Sequence, residues 1–309
     1  MEAATHTTGD FCGRQAWTLG PLPQTNQRWP RNFNVFAFGT MGTGLEDVDD
    51  AIATGVGIND QRGFNFDRGP DTVALVSKGC VTLSNGTVNG DIYYGTTYSA
   101  PNVTINAGTV HGPVASPIDF TDAQTKLIAM SQAFAGYPTN GTVKSSNGNL
   151  TLTGTDPELN VLQTPQNSGL FYSFTLNVPS GSSTIINWLD QSPEIANAGF
   201  TGFVPNTTLW NFPDASRVTI MSVGFPGQVL APNASVYLDN CKVTGTVVAN
   251  SVYPSSAELY SGTYNVPICS GCVCKDLSWS CSGNITLDDW GHAYDLVPEA
   301  AMRITQTVG

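Results

Sequence analysis

Three stretches of the chain read as copies of one β unit. Val81-Thr82-Leu83-Ser84-Asn85-Gly86-Thr87-Val88 aligns with Val103-Thr104-Ile105-Asn106-Ala107-Gly108-Thr109-Val110, 22 residues later. Both align with Val236-Tyr237-Leu238-Asp239-Asn240-Cys241-Lys242-Val243, which starts 155 residues after Val81, close to seven such periods. In each copy apolar and polar residues alternate, a polar or glycine-containing corner follows, and alternation resumes. Period two is that of a strand with one buried face, so each copy holds two short strands and a corner. β units repeated at about 20 residues predict a β-solenoid, in which each coil buries its apolar side against its neighbours. The expected fold is all-β, a single-stack β-helix of ~20-residue coils.

One segment departs from this pattern. Phe120, Ala123, Leu127, Met130 and Phe134 recur at steps of three and four, which predicts a helix over 119–135 with a single apolar stripe. Asp119 is its expected N-cap, and Gly136 followed by Pro138 stops it. Lone in a solenoid, such a helix packs along the outside of the coils. The chain then divides into an irregular N-terminal cap (1–32), the β-helix with its helix (33–265) and a Cys-rich segment (266–309). Solenoid ends expose unpaired strand edges, and the two terminal segments are the natural covers for them.

Charge narrows the partners. The 309 residues carry 12 Lys and Arg against 24 Asp and Glu, a net charge of −12, with no basic stripe, so nucleic acid is not an expected partner. No run approaches the roughly 18 apolar residues of a membrane span. The polar opening Met1-Glu2-Ala3-Ala4-Thr5 is no signal-peptide core, so either the chain is cytosolic or a leader has been removed. The cysteines favour the second alternative. Cys269, Cys272, Cys274 and Cys281 crowd together, with Cys12, Cys80 and Cys241 elsewhere. A zinc site prefers two separated Cys-x2-Cys knuckles, so disulfides in an oxidising compartment are the expectation for all seven, with one thiol left over. Asn-x-Ser/Thr sequons stand at Asn85, Asn102, Asn140, Asn149, Asn206, Asn233 and Asn284. Secretory glycosylation and the ordinary preference of corners for Asn both account for them.

Five motifs in order carry a further resemblance. They are Phe33-Asn34-Val35-Phe36-Ala37-Phe38-Gly39, the coil Leu83 to Gly90, Pro117-Ile118-Asp119-Phe120 leading into the helix, Leu209-Trp210-Asn211-Phe212-Pro213-Asp214-Ala215, and Gly227-Gln228-Val229-Leu230-Ala231-Pro232-Asn233-Ala234. Over roughly 33–253 the chain resembles the choice-of-anchor A domain family. The resemblance implies a β-helix with a helix at its side, similar in layout to a class of ice-binding proteins. It also implies a secreted adhesin or wall component without a catalytic centre, similar in encysting amoebae to lectins for cellulose and chitin. The chain departs from that family in showing no sorting motif or hydrophobic tail. Binding to the wall itself then becomes the attractive mode of retention.

Enzyme chemistry finds little to stand on. β-Helical lyases and hydrolases need clustered carboxylates along one groove. The acidic pairs here are Asp49-Asp50 and Asp288-Asp289, the latter near His292 and Asp295. Glu46, Asp47, Asp49 and Asp50 fit no EF-hand spacing, so turn chemistry is preferred to a calcium site, and neither metal nor cofactor is expected. Ice binding wants regular threonine ranks. Thr82, Thr104, Thr151 and Thr219 offer a partial column, with Tyr237 at the matching place in the third copy. Glycan binding remains the most specific expectation. Residues two coils apart in one column lie roughly 9.6 Å apart, near the disaccharide repeat of an extended β-1,4-glucan. Tyr93 and Tyr237 point outward by alternation and Trp188 either way, which makes these three the candidate glycan-binding residues. The function expected is non-catalytic binding of insoluble polysaccharide, cellulose or chitin, by a secreted monomer. A structural adhesin acting through protein contacts or self-association is the alternative, with ice binding and polysaccharide cleavage behind it.

Overall fold

The computed structural model describes residues 33–262, apart from 70, 71, 167 and 168, together with the backbone strands Gln15–Trp17 and Tyr264–Val266, which pair antiparallel. The fold is nearly all-β, with parallel strands in curled sheets and one α-helix. Three ladders make up most of the coils: two share the 16-stranded sheet and the third is a seven-stranded sheet. Two of their inward columns are apolar from end to end. On the second ladder one runs Val218, Val236, Val252, Met41, Ile58, Val81, Tyr98. On the third it runs Phe225, Val243, Leu259, Val48, Phe66, Val88, Ile105. This is the alternation read from the sequence, made into a core.

The coils do not stack in chain order. On the first ladder the pairing begins at Leu159–Gln163 and passes through Ser183–Asn187, Thr208–Asn211, Gln228–Asp239 and Val247–Ser255. It then meets Phe33–Ala37 and continues to Ala51–Thr54, Val73–Ser77, Asp91–Tyr94 and Val110–His111. The chain thus starts in the middle, grows to one end, returns by the helix and builds back from the other end. The seam where the last coil meets the first is closed by Asn34, fully buried, whose Nδ2 donates to the carbonyls of Gly245 (3.0 Å) and Tyr260 (2.9 Å).

Helix length suits this path. Phe120–Ala135 is sixteen residues, and at 1.5 Å each it reaches about 24 Å, the height of about five rungs at about 4.8 Å. Asp119 caps it as expected, accepting from the Thr121 and Asp122 amides. Phe120, Ala123, Leu127 and Phe134 bury their stripe against Phe36, Ala53, Val76, Leu209, Leu230 and Val248, the outward side of the first ladder. Covered on both sides, these strands read as nearly unbroken apolar runs. The helix also carries Ser131, a buried polar residue in the stripe. Its Oγ donates to Asn211 Oδ1 (2.6 Å), Asn211 Nδ2 donates to Ser131 O and Asn187 Oδ1, and Asn187 Nδ2 donates to Phe134 O. At the far end the hairpin Gly141–Ser146/Asn149–Gly154 turns on Asn147 and Gly148, both at positive φ, as a two-residue turn requires.

Three expectations are corrected. Val81 and Val103 are not equivalent: Val103 pairs with Gly86 and Val81 with Tyr98, so the 22-residue match sets a second-ladder strand on a third-ladder one. Strand–corner–strand units look alike on every side of a coil, so local alternation does not tell the sides apart. The Val236 copy is equivalent to Val81 but lies four rungs from it, not seven. The disulfide expectation also fails for Cys80 and Cys241, both free. Their coils lie four rungs, roughly 19 Å, apart, well beyond disulfide reach. Cys241 is a core residue, 2% exposed. Cys12, Cys269, Cys272, Cys274 and Cys281 lie outside the described residues.

Candidate ligand-binding face

The helix occupies the outer side of the first ladder, which leaves the second and third ladders to face solvent. On the second, successive outward positions form a column: Glu194, Thr219, Tyr237, Tyr253, then Gly42, Asn59, Thr82 and Ser99. The rings of Tyr237 and Tyr253 stack with centroids 5.1 Å apart and planes 23° apart. Arg217, one residue pair along the neighbouring strand, places its guanidinium carbon 4.0 Å from the centre of the Tyr237 ring. Tyr253 is 39% exposed. A hollow of ≈ 550 Å³ beside these rings is lined by Glu194, Arg217, Thr219, Met221 and Asp239. It shares Ser192 and Glu194 with a larger hollow of ≈ 1010 Å³, which reaches Gln132 on the helix, Asp190, Asp214 and Asn233.

The third face is polar and internally paired. Asn65 Nδ2 donates to Asp47 (3.0 Å) and Asn89 Nδ2 to Asp67 (2.7 Å), each across one rung. Lys242, Glu258 and Tyr260 form a compact group in which Lys242 Nζ lies 2.6 Å from Glu258 and the Tyr260 hydroxyl donates to the same carboxylate. These contacts hold the Glu258 carboxyl below its ordinary range. Asp49 and Asp50, in the bend between Leu45–Val48 and Ala51–Thr54, have different surroundings. Asp49 accepts from the Ser261 amide, whereas Asp50 is buried, 3.5 Å from Arg68, and burial raises its carboxyl. They are no paired acid and base. Among the described residues no three His, Cys, Asp or Glu side chains converge on a metal-sized site.

The three candidate aromatics fall in three places. Tyr237 lies on the second face as described. Tyr93 points outward, but on the helix side, near the end of the first ladder and stacked on His111 (4.4 Å, 15°). Trp188 is 1% exposed, packed among Phe171, Phe174, Trp210 and Phe212, with Nε1 donating to Asp190 (3.0 Å). Its ring presents no surface to a sugar, which removes it from the candidates. Tyr253 was not anticipated, although Ser235-Val236-Tyr237 recurs one coil later as Ser251-Val252-Tyr253. That repeated tripeptide was the available signal.

The threonines divide likewise. Thr82 and Thr219 share the second-face column, separated by two tyrosines, Gly42 and Asn59; Thr104 is on the third face. Thr151 begins a different rank, Thr151–Thr175–Thr201, three rungs long on the end sheet. The six described sequon asparagines are all exposed. Asn85 and Asn102 take positive φ (61° and 58°), which fits corner chemistry. Asn140 spends its amide on Leu159 O and the Val161 amide, both at 2.7 Å. Asn284 lies outside the described residues.

Among the described residues no helix is long and apolar enough to cross a membrane. Residues 29–261, about three quarters of the chain, match the family model described as "Putative Ice-binding-like adhesive domain". No curated protein and no solved structure matches the chain.

Proposed function

The chain belongs to the ice-binding-like adhesive domain family, and from that premise we propose that it is a secreted adhesin that holds an insoluble polysaccharide against its second face. The observation that carries this reading is the Tyr237–Tyr253 stack, two aromatic rings in one solvent-facing column with one ring 39% exposed. Sugar C–H faces suit such surfaces, and the neighbouring amides and hydroxyls suit sugar hydroxyls. Cellulose and chitin are the proposed ligands, in keeping with the resemblance to choice-of-anchor A domains. The coils are taken as one continuous stack, the chain as a monomer without catalytic activity, and its exposed sequons Asn206 and Asn233 as the best placed for glycans.

The test is co-sedimentation of the purified chain with microcrystalline cellulose and with chitin, assaying the supernatant for soluble sugar. Binding without sugar release, lost in Tyr253→Ala, is the expected result. Release of sugar would make the protein an enzyme. No binding to either solid would leave adhesion through protein contacts or self-association. A second reading, ice binding, is favoured by the rank Thr151–Thr175–Thr201 and by the family description. Thermal hysteresis that vanishes in Thr175→Tyr would support it.

A further inference from the structure

We propose, resting on the polysaccharide reading above, that a single pyranose ring enters the column at Gly42 as an added rung, stacked on the open face of Tyr253. The ligand would be a neutral chain of equatorially linked sugars. Three glycines lie in this corner, and two are explained by the backbone. A side chain at Gly39 would meet Ser251 Oγ at 2.5 Å and Asn250 O at 2.8 Å, and Gly44 has φ 121° with Pro254 O at 2.7 Å. Gly42 has no such need. Its φ is outside the left-handed region, and an added Cβ would make only ordinary contacts, Tyr253 Cδ1 at 3.5 Å and Pro254 Cδ at 3.8 Å.

What the missing side chain does is open one rung between Tyr253 and Asn59. Tyr237 has both ring faces covered, by Arg217 and by Tyr253. Tyr253 has one face covered by Tyr237, and its Cδ1 lies 3.5 Å from where a Gly42 Cβ would stand. A ring centred over Gly42 lies about 4.8 Å from Tyr253, a stacking distance. On the far side, Asn59 Oδ1 accepts from Gln61 Nε2 (2.7 Å), an arrangement that holds both amides in place and leaves Asn59 Nδ2 and Gln61 Oε1 for sugar hydroxyls. Thr40 stands exposed two residues before Gly42. Charge selects the class of chain. Glu194 and Asp239 line the adjoining hollow, and Arg217 is held against the far side of Tyr237. A uronate or sulfated chain running from Gly42 along the column would carry its charge toward these acids, whereas a neutral chain would not.

Binding isotherms of the full chain on cellulose, chitin and immobilised polygalacturonate test this, with Gly42→Gln, Asn59→Ala, Tyr253→Ala and Tyr253→Phe. Gly42→Gln should melt with wild type and bind cellulose or chitin roughly tenfold more weakly; Tyr253→Phe should bind within about twofold of wild type. Asn59→Ala, on the exposed wall of the slot, should lose about threefold and serves if Gly42→Gln does not fold. Undiminished binding by Gly42→Gln, or by Asn59→Ala in its place, together with loss in Tyr253→Ala would overturn the slot while leaving the polysaccharide reading intact. Preference for polygalacturonate would overturn the neutral class. Failure of wild type to bind any of the three would overturn both.

Discussion

Replacing Asn34 by Ala tests the least expected feature of the fold, the seam between its last and first coils. The Asn34 side chain makes three hydrogen bonds, two of them buried: Nδ2 to Gly245 O and Tyr260 O, and Oδ1 from the Asp50 amide at 2.7 Å. Two of the partners are 211 and 226 residues away in the chain. Carbonyls retain a second lone pair, so losing their donor costs about 0.5–1.5 kcal/mol each, while the stranded Asp50 N–H costs about 1–3 kcal/mol. The expected loss is about 3 kcal/mol. For a domain of this size 1 kcal/mol moves the thermal midpoint about 2–4 °C, so Asn34→Ala should melt about 6–12 °C lower. Circular dichroism melts and urea titrations read this directly. Asn65→Ala is the control, because Asn65 is exposed and its one side-chain bond, to Asp47, should be worth less than about 0.5 kcal/mol. If Asn34→Ala stays within about 1 kcal/mol of wild type, the last coil is not held on the first as described.

Three other outcomes are expected. Asn211→Leu strands the Ser131 hydroxyl and Asn187 Oδ1 under the helix, and should cost about 2–4 kcal/mol in urea unfolding; a loss confined to a few tenths would mean that apolar packing alone docks the helix. Asp60 is buried, and burial raises its carboxyl above the ordinary 3.8, so the folded state holds this proton more tightly than the unfolded chain. Its contribution is complete below the ordinary value and declines as pH rises through the raised one, so the midpoint of wild type minus that of Asp60→Asn should fall from pH 4 toward pH 7; a rise would refute the sign. Burial, aided by the Asp239 charge, pushes the Cys241 thiol up to about 12, so peptide mapping after alkylation at pH 8 should find Cys241 unmodified in the native protein and modified in urea.

The sequence displayed some of this architecture and concealed the rest for physical reasons. Period-two alternation at Val81-Thr82-Leu83 and the stripe from Phe120 to Phe134 report burial directly, and both became what they suggested. Coil order was hidden, because a parallel rung depends on which strands meet, and Val35 carries no mark that its partner is Val247 rather than only Ile52. The Asn147-Gly148 hairpin was legible and passed over, although two residues suited to positive φ stand between alternating runs. Trp188 was undecidable by alternation, since Ile185-Ile186-Asn187 is buried on both sides, inward by the core and outward by the helix. Of the candidate face, Tyr237 could be read from one strand. Tyr253 required comparing two coils, and Gly42 required knowing that coils more than 200 residues apart are neighbours.

Topology also bears on why the second face is the one proposed for a partner. A chain that begins in mid-stack must return from one end to the other, and its helix travels along the first ladder and seals it. On the third ladder, carboxylates and amides from adjacent rungs satisfy one another: Asp47 with Asn65, Asp67 with Asn89, and Glu258 with Lys242 and Tyr260. A ligand there would have to displace bonds already made. On the second ladder, Arg217 and Tyr253 use up both faces of Tyr237, and the series then stops at a glycine that neither backbone nor packing demands. On the proposed reading, a sugar ring would extend the Tyr237–Tyr253 stack by the same stacking that built it.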